Sequence, residues 1–241
     1  MAKVFIDGQE GTTGLSIASR LAKRKDITLL PIAEALRKDP EERKGKIAQA
    51  DVAILCLPDA AAKEAVALAE GTGTRILDAS TAHRTQSGWA YGFPELSKKH
   101  RDAVMTGDRV CVPGCHAGGF VAIVSPLVKA GFLPIDYPIV CHSVTGYSGG
   151  GKKMIAEYQA VDRSPLLSSP RQYALSQAHK HLPEMQKVCG LAETPIFDPI
   201  VADFYSGMLV SVPLHARCLP EKPGLKAVHG ALEEHYRGAK L

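Results

Sequence analysis

What the sequence does without narrows its chemistry first. It has one tryptophan among 241 residues and a net charge of only +4, and no run of basic residues interleaves with aromatics as a nucleic-acid surface requires. No stretch approaches the roughly 20 consecutive apolar residues of a membrane-spanning helix. The start, Met1 to Asp7, runs straight into a glycine turn instead of a signal peptide. The six cysteines, at 56, 111, 115, 141, 189 and 218, form no CxxC pair and show no zinc spacing, which argues against a metal site and against a disulfide framework. A reducing, cytoplasmic setting suits such scattered thiols. Hydrophobic residues make up 45% and charged ones 22%, a balance too apolar for disorder. These exclusions leave a globular enzyme of one large or two smaller domains, and its mild positive balance favours acidic small molecules as partners.

What is present reads as strands alternating with helices. Lys3 to Asp7 is a short apolar strand, followed at once by Gly8-Gln9-Glu10-Gly11-Thr12-Thr13-Gly14 and the helical pattern Leu15, Ile17, Ala18, Leu21. Strand, glycine turn and helix is the layout that seats a pyrophosphate on a helix N-terminus. The spacing here, G-x-x-G-x-x-G, is a variant of the usual fingerprint, and a plain strand-to-helix turn is the competing reading. Ile27 to Ile32, Asp51 to Pro58 and Arg75 to Ala79 are further strands, and an alanine-rich helix runs from Ala60 to Glu70. Such alternation predicts a parallel sheet with ligands outside the carboxyl ends of its strands. The segments Gly8 to Gly14, Leu57-Pro58 and Ser80 to Arg84 are therefore expected to share one crevice. On this reading Gly8, Gly11, Thr12, Thr13, Gly14, Leu57, Pro58 and Ser80 are the candidate cofactor contacts. An acidic residue about 20 positions after the glycines would hold the ribose of NAD. Glu34 stands near that place, but Arg37 and Lys38 follow it and suit a 2′-phosphate, which leaves NAD and NADP both open.

The reactive chemistry concentrates in Val112-Pro113-Gly114-Cys115-His116-Ala117-Gly118-Gly119-Phe120. A cysteine after Pro-Gly and ahead of an apolar run reads as a thiol at the mouth of a helix, where backbone amides favour a thiolate. The competing reading is a cysteine acting as a small buried hydrophobe. Thiolate chemistry needs a proton carrier near neutral pH, and Gln177 to Met185 sets His179 and His181 close to the carboxylate of Glu184. His181 is the first choice and His179 the second. Elsewhere Phe120 to Ala130 reads as a helix and Tyr137 to Val144 as a strand. Gly146 to Lys153 reads as a mobile glycine-rich loop, whose lysines serve either phosphate or a plain connection. Met208 to Leu214 reads as a strand and Gly224 to Tyr236 as an amphipathic helix.

Taken together, GQEGTTGL, LDASTAHR followed by WAYGFPEL, VPGCHAGGF, HSVTGYSGGGKK and HKHLPEM resemble the N-acetyl-γ-glutamyl-phosphate reductases of the shorter, second type, over essentially the whole chain. The resemblance implies an α/β fold: a Rossmann-type dinucleotide-binding domain over 1–114 and an α+β catalytic domain like that of glyceraldehyde-3-phosphate dehydrogenase over 115–241. It implies Cys115 as nucleophile, NADP on the glycine turn, an acyl phosphate substrate in arginine biosynthesis, and a homo-oligomer, dimer or tetramer. Arg84, His116, Lys152 and Glu184 are the residues expected to hold the substrate. Family members continue past a helix such as 224–236 into further strands and a segment resembling LGKGASGAAVQNLN that packs on the nucleotide domain. Core faces built to meet that segment are accordingly expected to lie open to water, at a cost to stability, dimer formation and activity. Three rivals stand beside this reading. One is an aspartate-semialdehyde dehydrogenase-like enzyme using the same steps. Another is a cysteine hydrolase or acyltransferase built on Cys115 and His181, which the glycine turn opposes. The third is a nucleotide-binding protein without catalysis.

Overall fold

The computed structural model describes residues 1–9 and 11–239, with the side chain of Thr12 outside the described residues. The chain divides into two compact units, one of residues 1–94 and 98–113, the other of residues 95–97 and 114–241.

The first unit runs β1 (Ala2–Asp7), α1 (Thr12–Leu21), β2 (Ile27–Leu30), α2 (Pro40–Gln49), β3 (Val52–Leu55), α3 (Asp59–Leu68), β4 (Arg75–Asp78), β5 (Ala90–Tyr91), α4 (Lys98–Thr106) and β6 (Arg109–Cys111). Its strands form one sheet in the order β2-β1-β3-β4-β6-β5, parallel at every pairing. Side chains alternate across it. Phe5, Ala53, Leu55 and Ile76 pack with Ile47, Ala62 and Ala65 on one face, while Val4, Ile6 and Ile54 pack with Ala18 on the other. Strands covered on both faces read as unbroken apolar runs, which is why the sequence betrays them. Helix α2 starts where the Asp39 side chain accepts from the amides of Glu41 and Glu42, both at 3.0 Å, with Pro40 as its first residue.

The second unit runs α5 (Cys115–Lys129), β7 (Val140–Gly146), α6 (Gly151–Gln159), β8 (Arg171–Gln172), α7 (Leu182–Cys189), β9 (Ile196–Ala202), β10 (Met208–Ser211) and α8 (Leu225–Tyr236). Its sheet has the order β10-β7-β9-β8, with β7 and β9 parallel and the two outer strands antiparallel. Helix α5 lies against β10, α7 and α8. Gly119 permits that approach, since a Cβ there would stand 2.6 Å from Val210 Cγ2. Pro126 lies inside α5 and offers no N–H to the carbonyl of Ala122 one turn earlier. The Tyr236 hydroxyl of α8 donates to that carbonyl at 2.7 Å. Among the described residues no helix is long and apolar enough to cross a membrane.

One sequence expectation is overturned here. Gly146 to Lys153 is no loop: a 3-10 turn over Tyr147–Gly150 leads directly into α6, and Lys152 and Lys153 lie in its first turn. The Tyr147 ring stacks on Tyr158 at 4.7 Å, and the amides of Tyr147 and Ser148 donate to the carbonyls of Phe204 and Tyr205. These anchors outweigh the flexibility that the glycines suggest.

Candidate functional site

In the first unit, strand order reverses between β1 and β3, the place where open α/β sheets take ligands. A cavity of about 320 Å³ lies there, lined among others by Gly8, Gln9, Leu57, Glu34, Arg37 and Lys38. The glycine turn is tight for steric reasons. Gly8 has φ +84°, and a Cβ on it would stand 2.4 Å from the Cys56 carbonyl oxygen; a Cβ on Gly14 would stand 2.4 Å from that of Gly8. Gly11 caps α1, and its amide donates to the Gly8 carbonyl at 3.1 Å, so Thr12, Thr13 and Gly14 open the helix. Beneath the turn the buried Asp7 accepts from Arg43 Nε at 3.0 Å, and Arg43 also reaches Glu64 at 2.8 Å. Burial pushes the Asp7 carboxyl up, with Arg43 opposing the shift.

The cavity is lined by part of the set expected at the strand ends. Gly8 and Leu57 line it, whereas Ser80 and Arg84 do not. Strand β4 is separated from β1 by β3, and the loop after it is occupied with its own hydrogen bonds. The Ser80 hydroxyl donates to Asp78 at 2.7 Å, His83 Nδ1 lies 2.6 Å from the same carboxylate, and the His83 ring stacks on Trp89 at 4.1 Å. Arg84 donates to the carbonyls of Val112 and Ala79 at 2.9 and 3.0 Å. Pro58 is the N-cap residue of α3.

In the second unit Cys115 is the first residue of α5, with an exposed side chain. The first helical hydrogen bond runs from the Gly118 amide to the Gly114 carbonyl, so the amides of Cys115, His116 and Ala117 have no partner within the helix. The Gly114 amide donates to Glu184 Oε1 at 2.8 Å, and Glu184 is only 1% exposed. Burial pushes the thiol of Cys56 up to about 11 and those of Cys141 and Cys189 up to about 12. Those three act as packing groups, whereas Cys115 stands in the open.

The next residue, His116, belongs to a cluster of rings. His116, 4% exposed, places Nδ1 at 2.7 Å from Ser143 Oγ and Nε2 at 2.8 Å from Tyr173 Oη. Burial, with His179 adding to it, pulls His116 down to about 4, so its imidazole is neutral at pH 7. The rings of His179 and His181 lie 4.7 Å apart, and 5.9 and 5.6 Å from His116. The His181 amide donates to His179 Nδ1 at 3.2 Å, so the neutral His179 ring carries its proton on Nε2. Burial first, and Lys180 second, lower the pKa of His179. His116 and Glu184 thus hold the protein itself, buried against Ser143, Tyr173 and Gly114. Lys152 stands exposed in α6. Sequence reasoning did not single out Tyr173 or Ser143, which meet His116 across 57 and 27 residues with no local signal.

Residues 3–104 match the model of the semialdehyde dehydrogenase NAD binding domain, and residues 115–241 that of the semialdehyde dehydrogenase dimerisation domain. The N-acetyl-gamma-glutamyl-phosphate reductase of Chelativorans is 47% identical over 237 residues, which span 98% of this chain and 76% of the relative. N-acetyl-gamma-glutamyl-phosphate reductase 2 of Pseudomonas putida is 46% identical over 239 residues, spanning 98% and 75%. Among solved structures, aspartate semialdehyde dehydrogenase with NADP from Candida albicans shares the fold, with a TM-score of 0.64 at 16% identity over 97% of this chain and 76% of that one. The parallel sheet with its glycine turn, the mixed sheet carrying an exposed helix-mouth thiol, and these relatives agree: the chain belongs to the N-acetyl-gamma-glutamyl-phosphate reductases of the semialdehyde dehydrogenase family.

Proposed function

We propose that the chain reduces N-acetylglutamyl 5-phosphate to N-acetylglutamate 5-semialdehyde and phosphate with NADPH, by way of a thioester on Cys115, as a step of arginine biosynthesis. The observation that carries this reading is the thiol's place: exposed on the first residue of α5, at helix amides without a partner in the helix and one residue from His116, whose ring meets those of His179 and His181. The Cys115 sulfur attacks the acyl carbon, the C–O bond to phosphate breaks, and phosphate departs. The amides of Cys115, His116 and Ala117 are placed to stabilise the oxyanion.

His181 is the proton carrier in this scheme, and the geometry gives a reason to prefer it to His179. A ring whose Nδ1 accepts from a backbone amide loses that hydrogen bond if Nδ1 is protonated, so His179 is held as a neutral donor through Nε2. His181 gives its proton to the alkoxide that forms on the thioester carbon and takes it back when the C–S bond breaks to release the aldehyde.

The glycine turn fits the nucleotide, because Gly8 and Gly14 leave the backbone no room for a Cβ and α1 begins at once. Bound there, NADPH supplies hydride. Arg37 and Lys38 in the same cavity favour NADP through its 2′-phosphate, with Glu34 left for the ribose. Gly11, Thr13, Pro58 and Ser80 complete the nucleotide set expected at the carboxyl ends of the strands, and Thr12 belongs to it although its side chain lies outside the described residues. Lys152 and Arg84 are the cations assigned to the substrate's charged ends.

The same reading makes the protein a homodimer. The mixed sheet has an open face on which Ile196 is 60% and Leu209 64% exposed, and residues 115–241 carry the dimerisation-domain match. A second copy is its occupant, with His142, Asp198 and Gln172 as a hydrogen-bonded polar strip among those apolar residues.

The test is the reverse reaction, with semialdehyde, phosphate and NADP, followed by NADPH absorbance beside a Cys115→Ser control. NADPH that appears only with Cys115 and phosphate supports the scheme, and turnover by the serine variant refutes it. Aspartate semialdehyde in place of the acetylated substrate distinguishes the rival enzyme, and NADPH formation from it at an equal rate refutes the substrate assignment.

A further inference from the structure

Residues 173–181 carry the histidine pair but contain neither helix nor strand, and Ala174 and Gln177 within them have φ of +50° and +54°. Such a segment is held by what surrounds it. Toward β9 the ties are plain. The Tyr173 amide donates to the Pro199 carbonyl at 3.1 Å, and the Gln177 side chain exchanges two hydrogen bonds of 2.8 Å with the backbone of Phe197. Toward α5 the tie is the Tyr173 hydroxyl, which meets His116 Nε2 at 2.8 Å while His116 Nδ1 meets Ser143 on β7. A neutral imidazole has one N–H and one lone pair, and both neighbours are hydroxyls that donate or accept. The chain Tyr173–His116–Ser143 therefore closes in either tautomer.

We propose that Tyr173 is a positioning residue: through His116 it fixes the segment bearing His179 and His181 to the first turn of α5, and so sets the distance between the proton carrier and Cys115. The inference rests on the catalytic reading above. A proton carrier on an irregular segment drifts unless it is fastened, and misplacement by about 1 Å can cost 100-fold in rate. Tyr173 itself need not touch the substrate to matter; its hydroxyl acts through the ring of His116.

The experiment uses the whole chain with Tyr173→Phe, His116→Phe and the double variant. The first removes one oxygen, and the second keeps a ring against Phe197 and His179 while removing both hydrogen bonds. In the reverse assay Tyr173→Phe is expected to lose about tenfold in kcat, the worth of one hydrogen bond, and His116→Phe, which breaks two, at least as much, with KM for the semialdehyde within about twofold in both. The double variant is expected to be no worse than the poorer single one, because both changes break the same bond. Amide exchange read by mass spectrometry is expected to speed up over 174–181 by about tenfold in Tyr173→Phe, with β7 and β9 unchanged. A lower melting temperature with unchanged kcat overturns the proposal, as does additive loss in the double variant. Wild-type exchange over 174–181 in Tyr173→Phe overturns it even in a chain that never turns over, an outcome separate from failure of the reductase assay.

Discussion

Removing the carboxylate of Glu184 tests how Cys115 is held. Glu184 stands in the first turn of α7, almost wholly buried, and its Oε1 accepts from the amide of Gly114, the residue from which α5 and its thiol start. Glu184→Ala leaves a buried N–H without that acceptor, at about 1–3 kcal/mol, and opens a space for the lost methylenes at about 1 kcal/mol more. For a chain of this length each kcal/mol lowers the melting temperature by about 2–4 °C, so a fall of roughly 10 °C is expected. Glu184→Gln keeps an acceptor of the same size for Gly114 and gives up the charge assistance of that bond, about 1 kcal/mol, or roughly 3 °C. Function is expected to follow the same order. With Gly114 released, the first turn of α5 re-aims Cys115, and kcat in the reverse reaction falls by about 10–100-fold in the alanine variant. The glutamine variant loses about threefold, within what one weakened hydrogen bond removes. Calorimetry and NADPH absorbance on the three proteins read both effects. An alanine variant that melts and turns over like the parent refutes the reasoning. A glutamine variant as damaged as alanine shows that the charge, and not the acceptor, matters.

Three further outcomes are expected. Gly14→Ala puts a Cβ 2.4 Å from the Gly8 carbonyl and is expected to weaken NADPH binding by at least about tenfold, with iodoacetamide labelling of Cys115 unchanged; fluorescence titration and mass spectrometry read the two. Replacing Arg37 and Lys38 together by alanine is expected to weaken NADPH by about tenfold or more while leaving NADH within about twofold, and an unchanged preference removes them from the 2′-phosphate. His116 gives a pH dependence of known sign. Its pKa is near 4 in the folded chain against 6.5 unfolded, so the unfolded state binds more protons between those values. Stability is fully present above pH 6.5 and falls by about 3 kcal/mol as the pH drops toward 4. Melting curves of His116→Phe are expected to be flatter across that window, and equal slopes exclude His116 as the source.

The parts of the fold that show in the sequence are those whose signal is local. β1, β3 and β4 are apolar on both faces, and the glycine turn follows the first of them within two residues. Helix α2 escaped because its sequence PEERKGKIAQ buries only Arg43 and Ile47, too little for an apolar stripe. β9 escaped because Pro199 interrupts its pattern, and a proline within a run argues against a strand. The site divides in the same way. Cys115 at a helix mouth and the nearby pair His179 and His181 are short-range features. The clasp of Glu184 on Gly114 spans 70 residues and that of Tyr173 on His116 spans 57, and nothing in periodicity announces either partner. Ser80 is legible by its place at a strand end, and its bond to Asp78 is a further contact that strand periodicity does not announce.

The proline in α5 has an outcome at the far end of the chain. By withholding one N–H, Pro126 turns the carbonyl of Ala122 into a socket, and the phenol of Tyr236 is its plug. None of the residues of α8 is fully buried, so a polar contact of this kind marks where the helix docks, with directional accuracy that loose apolar packing lacks. An alanine at 126 would hand the carbonyl back to its own helix and leave the phenol competing with an amide for one oxygen. The address at which the last helix lands is therefore written more than a hundred residues ahead of it, as an omission.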